Sequence, residues 1–299
     1  MRQVSFIGLG AMGEPMAANL LKAGFPLKVF DVVQEKLKRL VELGGIRADN
    51  LSAAIRDADV VITMLPTTES VLEVVLGEGG VLQHISPKGI IMDMSTIAPT
   101  GTDHVYAECR KKNVFFIDAP VGRQVIHAIK GESLFMVGCD NEWEFNQVKP
   151  YLEAMGTKIV RSGGVGMGTR MKIVNNMQIL TIAEVTAEAI LLSEKLGLDL
   201  SLVKDVNAGT TATNGQMQFT FPTKVFSGDT DPGFTIELAH KDLTLAMEAA
   251  EELNIQLPSC SAAEEVYKKV KSGVFGKKDF SALLEYWCDR EEIDTPRIN

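Results

Sequence analysis

Gly168, Lys172 and Asn176 recur at intervals of four, with Asn175 three positions beyond Lys172, at the start of the proline-free run Thr169 to Leu196 that Gly168 immediately precedes and whose apolar residues fall at helical spacing. Residues three and four apart stack on one helix face. A lysine and two amides therefore share one stripe near the start of a long helix. Hydride delivery to a carbonyl leaves an alkoxide that needs a positioned proton donor. A lysine desolvated beside a substrate can have its pKa drawn towards the working range. Lys172 would be the acid in reduction and the base in oxidation, with an amide orienting the substrate. The same spacing describes an ordinary solvated helix face, so the stripe alone leaves both readings open.

A hydride source is written at the other end of the chain. The apolar strand from Val4 runs into Gly8-Leu9-Gly10-Ala11-Met12-Gly13, followed by a helix-compatible run from Glu14 to Lys22. Three glycines so spaced permit a tight turn, close approach of backbone amides to a pyrophosphate and close packing of helix on strand. A glycine-rich turn by itself need bind nothing. Here a second strand, Leu27 to Asp31, ends in a carboxylate 18 residues beyond Gly13, where it can accept both hydroxyls of an adenosine ribose. Asp31 would repel a 2′-phosphate and Val32-Val33 offers no arginine to hold one, so the expected cofactor is NAD rather than NADP. Lys28 and Lys36 are the nearby cations that could oppose this preference.

The elements that must position these groups follow a steady rhythm. Val60–Leu65, Gly89–Met94, Val114–Asp118 and Leu134–Gly138 are continuous apolar runs, as in strands of a parallel sheet covered on both faces. Helical patterns lie between them at Gln34–Leu43, Glu69–Leu76, Thr100–Lys112 and Glu142–Met155. This is an α/β, doubly wound arrangement, whose ligands sit beyond the carboxyl ends of the strands. Leu65-Pro66, Ser95-Thr96 and Ala119–Arg123 are thereby the loops that face a cofactor.

The pattern changes at Ser162–Gly168, read as a flexible stretch. Beyond it the chain is almost wholly helical, with candidates at Asp199–Asn207, Gln216–Phe226, Thr235–Leu253, Ser259–Lys271 and Ser281–Cys288, and a polar, frayed end from Asp289 to Asn299. The expected domains are residues 1–164, binding the dinucleotide, and 165–299, an all-helical substrate and oligomerisation domain.

A net charge of −9 over 299 residues argues against a nucleic-acid or anionic-membrane partner, which would need clustered Lys and Arg. The four scattered cysteines suggest neither a redox pair nor a zinc site, and no metal set is expected. No signal segment or membrane-length apolar run is apparent, so the expected location is the cytoplasm.

Taken together, Phe6-Ile-Gly-Leu-Gly-x-Met-Gly-x-Pro-Met-Ala17, Asp93-Met-Ser-Thr96, Asp118-Ala-Pro-Val121, Gly166-Met-Gly-Thr-Arg-Met-Lys-Ile-Val-Asn-Asn176 and His240-Lys-Asp242 resemble the β-hydroxyacid dehydrogenases, the family of 3-hydroxyisobutyrate dehydrogenase. The resemblance covers nearly the whole chain, in order. It implies an N-terminal Rossmann domain joined by the long helix to an all-helical C-terminal domain, with Lys172 as proton donor and acceptor. It further implies Ser95 at the nicotinamide and substrate, Thr96 with the cofactor, Asn176 orienting the substrate beside Asn175, and Lys241 at the cofactor in a closed active site. The family also suggests a homodimer or homotetramer built on the helical domain.

One departure bears on the substrate. Where the family usually continues with Ser-Gly-Gly to hold a carboxylate, this chain has Gly122-Arg123-Gln124. That form resembles the sulfolactaldehyde reductase branch, which reduces 3-sulfolactaldehyde to 2,3-dihydroxypropane-1-sulfonate, and Arg offers five donors to the three oxygens of a sulfonate. Arg123 is expected to meet the substrate anion opposite Lys172; an ion pair at the surface or between domains is the other reading. Ile179, one turn beyond Asn175, stands where a hydroxyl would help hold a sulfonate. A carboxylate substrate such as tartronate semialdehyde, succinic semialdehyde or 3-hydroxyisobutyrate therefore stays open. So does a non-catalytic dinucleotide sensor, although a sensor has no need of a proton donor.

Overall fold

Alternation along four short apolar strands builds the two-faced core of the first half. Val4, Phe6, Val60, Ile62, Ile90, Met92 and Ile117 point to one side of the sheet; Ile7, Val61, Ile91 and Phe116 point to the other. The computed structural model describes residues 3–298. Two compact units make up the chain, one reaching to Lys172 and the other beginning at Ile173.

In the first unit the strands are β1 (Val4–Ile7), β2 (Leu27–Phe30), β3 (Ile46–Arg47), β4 (Val60–Thr63), β5 (Ile90–Asp93), β6 (Phe115–Asp118), β7 (Val121–Gly122), β8 (Ser133–Gly138) and β9 (Gly156–Gly163). Its helices are α1 (Gly13–Lys22), α2 (Lys38–Glu42), α3 (Leu51–Ile55), α4 (Thr68–Leu76), α5 (Val81–His84), α6 (Pro99–Lys111), α7 (Val125–Lys130) and α8 (Glu142–Met155), and the start of α9 (Met167–Lys195) completes it. The sheet order is β3-β2-β1-β4-β5-β6-β8-β7, with β9 beside β8.

Strands β1 to β6 are parallel, the doubly wound arrangement expected. The run Leu134–Gly138 departs from it, because β8 lies antiparallel to β6 and β7. Only the short α7 separates Gly122 from Ser133, whereas a parallel crossover needs a dozen or more residues. Nor is Ser162–Gly168 a flexible stretch throughout: Ser162 and Gly163 end β9, and α9 begins at Met167.

The second unit is helical. After the greater part of α9 come α10 (Leu200–Ala208), α11 (Phe221–Thr223), α12 (Ile236–Glu252), α13 (Pro258–Lys271) and α14 (Leu283–Arg290). The single helix expected over Gln216–Phe226 is instead a π-helical turn, Gln216–Thr220, then α11, then a 3₁₀ turn, Val225–Ser227. Pro222 lacks the N–H that would continue an α-helical ladder. The polar end is anchored rather than frayed as far as it is described. Arg297 pairs with Glu285 at 2.8 Å and the Ile298 amide donates to the Phe226 carbonyl at 3.0 Å; Asn299 lies outside the described residues.

Candidate active site

Sterics dictate the turn after β1. Gly8 has φ +95°, and a Cβ there would lie 2.2 Å from the Met64 carbonyl oxygen. A Cβ on Gly13 would sit 2.1 Å from the Gly8 carbonyl oxygen, whereas one on Gly10 would meet open space. Two glycines thus close the turn on β4 and α1, and the third leaves the backbone approachable from outside. The buried Asp31 carboxylate clamps the turn: Oδ2 accepts the Leu9 amide at 2.7 Å and Oδ1 accepts the Val33 amide at 2.8 Å. Lys36 approaches Oδ2 at 3.5 Å. Each carboxylate oxygen can accept more than one hydrogen bond, so Asp31 retains capacity for ribose hydroxyls. Ala11 and Met12 complete the turn and lead into α1. These residues fit a dinucleotide.

A second polar knot joins the ends of β4 and β5. Asp93 Oδ1 accepts the hydroxyls of Thr63 at 2.8 Å and Ser95 at 2.6 Å, and the Ser95 hydroxyl accepts the Leu65 amide at 2.9 Å. Ser95 is buried. Its side chain therefore braces the Leu65-Pro66 loop against the loop carrying Thr96.

The end of β6 makes the third. Asp118, fully buried, accepts the Gly166 amide on Oδ1 and the Thr169 amide on Oδ2, both at 2.7 Å. Thr169 also shares a hydroxyl contact with Thr102 at 3.1 Å. A carboxylate at a helix N-terminus satisfies orphan amides and complements the helix dipole. Burial pushes the Asp118 carboxyl up to about 6, with the Gly166 and Thr169 amides pulling it back. Three residues on, Lys172 stands half-buried on the same helix.

Gly122 is buried in β7, paired with Leu134 of β8. Arg123 follows at φ +75°, and its Nη1 donates to the Glu132 carbonyl at 2.5 Å and the Thr157 hydroxyl at 3.1 Å. Those partners are neutral, and among the described residues no ion pair of Arg123 is found.

In the second unit, Asn176 Nδ2 donates to Asp242 Oδ2 at 2.5 Å, and Asn175 Nδ2 donates to Asn176 Oδ1 at 3.2 Å. Lys241 pairs with Asp242 Oδ1 at 2.9 Å. Neighbouring His240 lies between Glu264 at 2.7 Å and Lys271 at 3.0 Å; burial and the Lys271 charge depress its pKa.

The structure thus brings Gly8–Gly13 to Asp31, Leu65 to Ser95, and Asn176 and Lys241 to a shared carboxylate, with Asn175 on the Asn176 side chain. Sequence reasoning assigned no role to Asp93, Asp118 or Asp242. A signal was present for two of them, since Asp93 and Asp118 are carboxylates closing otherwise apolar strands.

A sheet that holds a glycine turn and a strand-end carboxylate in this way defines a dinucleotide-binding domain of the Rossmann type. Residues 3–164 match the NAD binding domain of 6-phosphogluconate dehydrogenase, and residues 166–287 match the NAD-binding domain of NADP-dependent 3-hydroxyisobutyrate dehydrogenase. The chain is 41% identical over 285 residues to the 3-sulfolactaldehyde reductase of Escherichia coli (strain K12), covering 95% of each chain. It is 36% identical to the NAD-dependent L-serine dehydrogenase of Pseudomonas aeruginosa, covering 95% of this chain and 97% of that one. A solved 3-hydroxyisobutyrate dehydrogenase of Mycobacterium tuberculosis with L-serine superposes with a TM-score of 0.86 at 34% identity, covering 96% of this chain and 99% of that one. The chain belongs to the β-hydroxyacid dehydrogenase family, the NAD(P)-dependent enzymes related to 3-hydroxyisobutyrate dehydrogenase.

Proposed function

We propose that the protein is an NAD-dependent reductase of a small anionic aldehyde, converting 3-sulfolactaldehyde to 2,3-dihydroxypropane-1-sulfonate with Lys172 as proton donor. The carrying observation is Arg123, in the loop that follows β7: its contacts are a carbonyl and a hydroxyl, which leave its charge unneutralised and able to meet an anion. The 41% identity to a 3-sulfolactaldehyde reductase supports that choice.

Bound at the glycine turn, the nicotinamide cofactor supplies the hydride. Because the Leu9 amide is taken by Asp31, the amides of Gly10, Ala11 and Met12 are assigned to the pyrophosphate, with Asp31 on the ribose. Ser95 acts by holding the Leu65-Pro66 loop in place, and Thr96 and Lys241 complete the cofactor contacts. Lys172 gives its proton to the developing alkoxide and takes one in the reverse direction; Asn176, with Asn175, orients the substrate. Gly122 and Arg123 hold the anion. In this reading residues 1–164 bind the dinucleotide and 165–299 carry the remaining substrate and oligomer contacts.

Purified protein should oxidise NADH with 3-sulfolactaldehyde faster than with tartronate or succinic semialdehyde, and faster than it oxidises NADPH with the same aldehyde. Preference for a carboxylate aldehyde would defeat the sulfonate reading and leave the family intact; equal efficiency with NADPH would defeat the role of Asp31. Ile179 favours the carboxylate as second reading, since its side chain offers a sulfonate no hydroxyl, so 3-hydroxyisobutyrate and L-serine belong in the oxidation assay.

Val174, Ile182, Val185 and Leu192 expose an apolar stripe along α9, continued by Leu196 just beyond its end, which supports a homodimer or homotetramer, readable by light scattering. The four buried free thiols suit the reducing cytoplasm.

A further inference from the structure

Asp242 is 3% exposed and Asn176 4%, and their 2.5 Å contact joins α12 to α9 inside the second unit. An ionised carboxylate accepts hydrogen bonds and donates none, whereas a carboxamide has a donating and an accepting end that are nearly identical in shape. Asp242 therefore determines which way round Asn176 sits. Nδ2 must face the carboxylate. Oδ1 then turns to Asn175, whose amide donates to it at 3.2 Å. Asn175 takes one lone pair of Oδ1 and Asp242 one of the two N–H groups, which leaves Asn176 a second N–H whose direction the Asp242 contact fixes. Lys241, on the other carboxylate oxygen at 2.9 Å, supplies the opposite charge that a buried carboxylate needs.

We propose that Asp242 is the positioning residue of Asn176, locking its amide so that the remaining N–H is presented as a hydrogen-bond donor to an oxygen of the substrate. The inference rests on the reading of Asn176 as a substrate contact and adds its polarity and the group that sets it. A donor suits an aldehyde oxygen or an acid-group oxygen. It also accounts for a carboxylate beside Lys241 where an amide would fill almost the same space, since an amide at 242 could meet either end of Asn176.

The test is a double-mutant cycle with Asp242→Asn, Asn176→Ala and the double variant, reading kcat/KM for the aldehyde, with NADH affinity by fluorescence titration and far-UV circular dichroism on each protein. Asp242→Asn should lower kcat/KM at least about 10-fold. The double variant should be no worse than Asn176→Ala, because the group through which Asp242 acts has already gone. Losses that add would overturn the proposal, since a general role in stability is indifferent to residue 176. Wild-type kcat/KM in Asn176→Ala would overturn the underlying substrate contact instead, so the two failures are distinguishable. Should Asp242→Asn not fold, Asp242→Ser, which keeps a small polar group able to donate or accept, completes the same cycle.

Discussion

Asp118 receives the Thr169 amide at 2.7 Å, and this one contact ties the end of a central strand to the first turn of the helix that bears Lys172. The Gly166 amide binds the other oxygen. Glycines make room for the arrangement: a Cβ on Gly138 would lie 2.2 Å from Asp118 Oδ1, and one on Gly168 would lie 2.2 Å from the Met136 carbonyl oxygen and 2.9 Å from Asp118 Oδ2. The family's motifs Asp118-Ala-Pro-Val121 and Gly166–Asn176 are thus halves of one device.

Asp118→Asn turns an NH₂ group towards a backbone donor. Leaving one buried amide unsatisfied costs about 1–3 kcal/mol. Hydrogen exchange at Gly166 and Thr169 should accelerate, and turnover should fall as the start of α9 loosens. Unchanged exchange over residues 164–172 would show that the carboxylate does not hold the helix.

Lys172→Ala should lower turnover by at least about 100-fold, the scale of general acid catalysis, and leave NADH affinity close to wild type. Fluorescence titration beside a rate assay reads both quantities. Near-normal turnover would remove Lys172 from the mechanism.

Arg123→Ala should raise the KM for 3-sulfolactaldehyde by roughly 10- to 150-fold, the effect of losing a charge-assisted contact worth about 1.5–3 kcal/mol. The KM for NADH should change little. Arg123→Lys should recover only part of the loss, because an ammonium lacks the planar fork. Equal KM values in Arg123→Ala and wild type would confine the side chain to its contacts with Glu132 and Thr157.

Glu184, in the middle of α9, is 4% exposed and accepts the Trp287 indole N–H at 2.8 Å. Burial pushes its carboxyl up to about 7; the Trp287 hydrogen bond opposes the rise and the Glu188 charge adds to it. Between an unfolded value of about 4.3 and 7 the native state holds a proton that the unfolded state has released. Its contribution to stability is thus fully present below about pH 4 and lost as pH rises through 7, by up to about 3 kcal/mol. Glu184→Gln, which cannot ionise, should flatten the fall in Tm from pH 5 to pH 8. Parallel Tm curves for the two proteins would refute the shift.

The dinucleotide half was legible in the sequence because its determinants are local. Gly8, Gly10 and Gly13 are spaced by the geometry of one turn, Asp31 ends the next strand, and apolar runs such as Val60–Thr63 and Ile90–Asp93 declare strands buried on both faces. The i, i+4 spacing of Gly168, Lys172 and Asn176 likewise survives intact in α9. The direction of β8 was not legible, since an apolar run reads the same either way and only the short connection through α7 forces its reversal. Nor were the roles of Asp118 and Asp242, whose partners are distant in sequence: Asp118 meets amides at 166 and 169, and Asp242 meets an amide at 176. A carboxylate's type states that it will accept hydrogen bonds; which donors reach it is decided by how strands and helices pack, and there the tertiary structure alone had the answer.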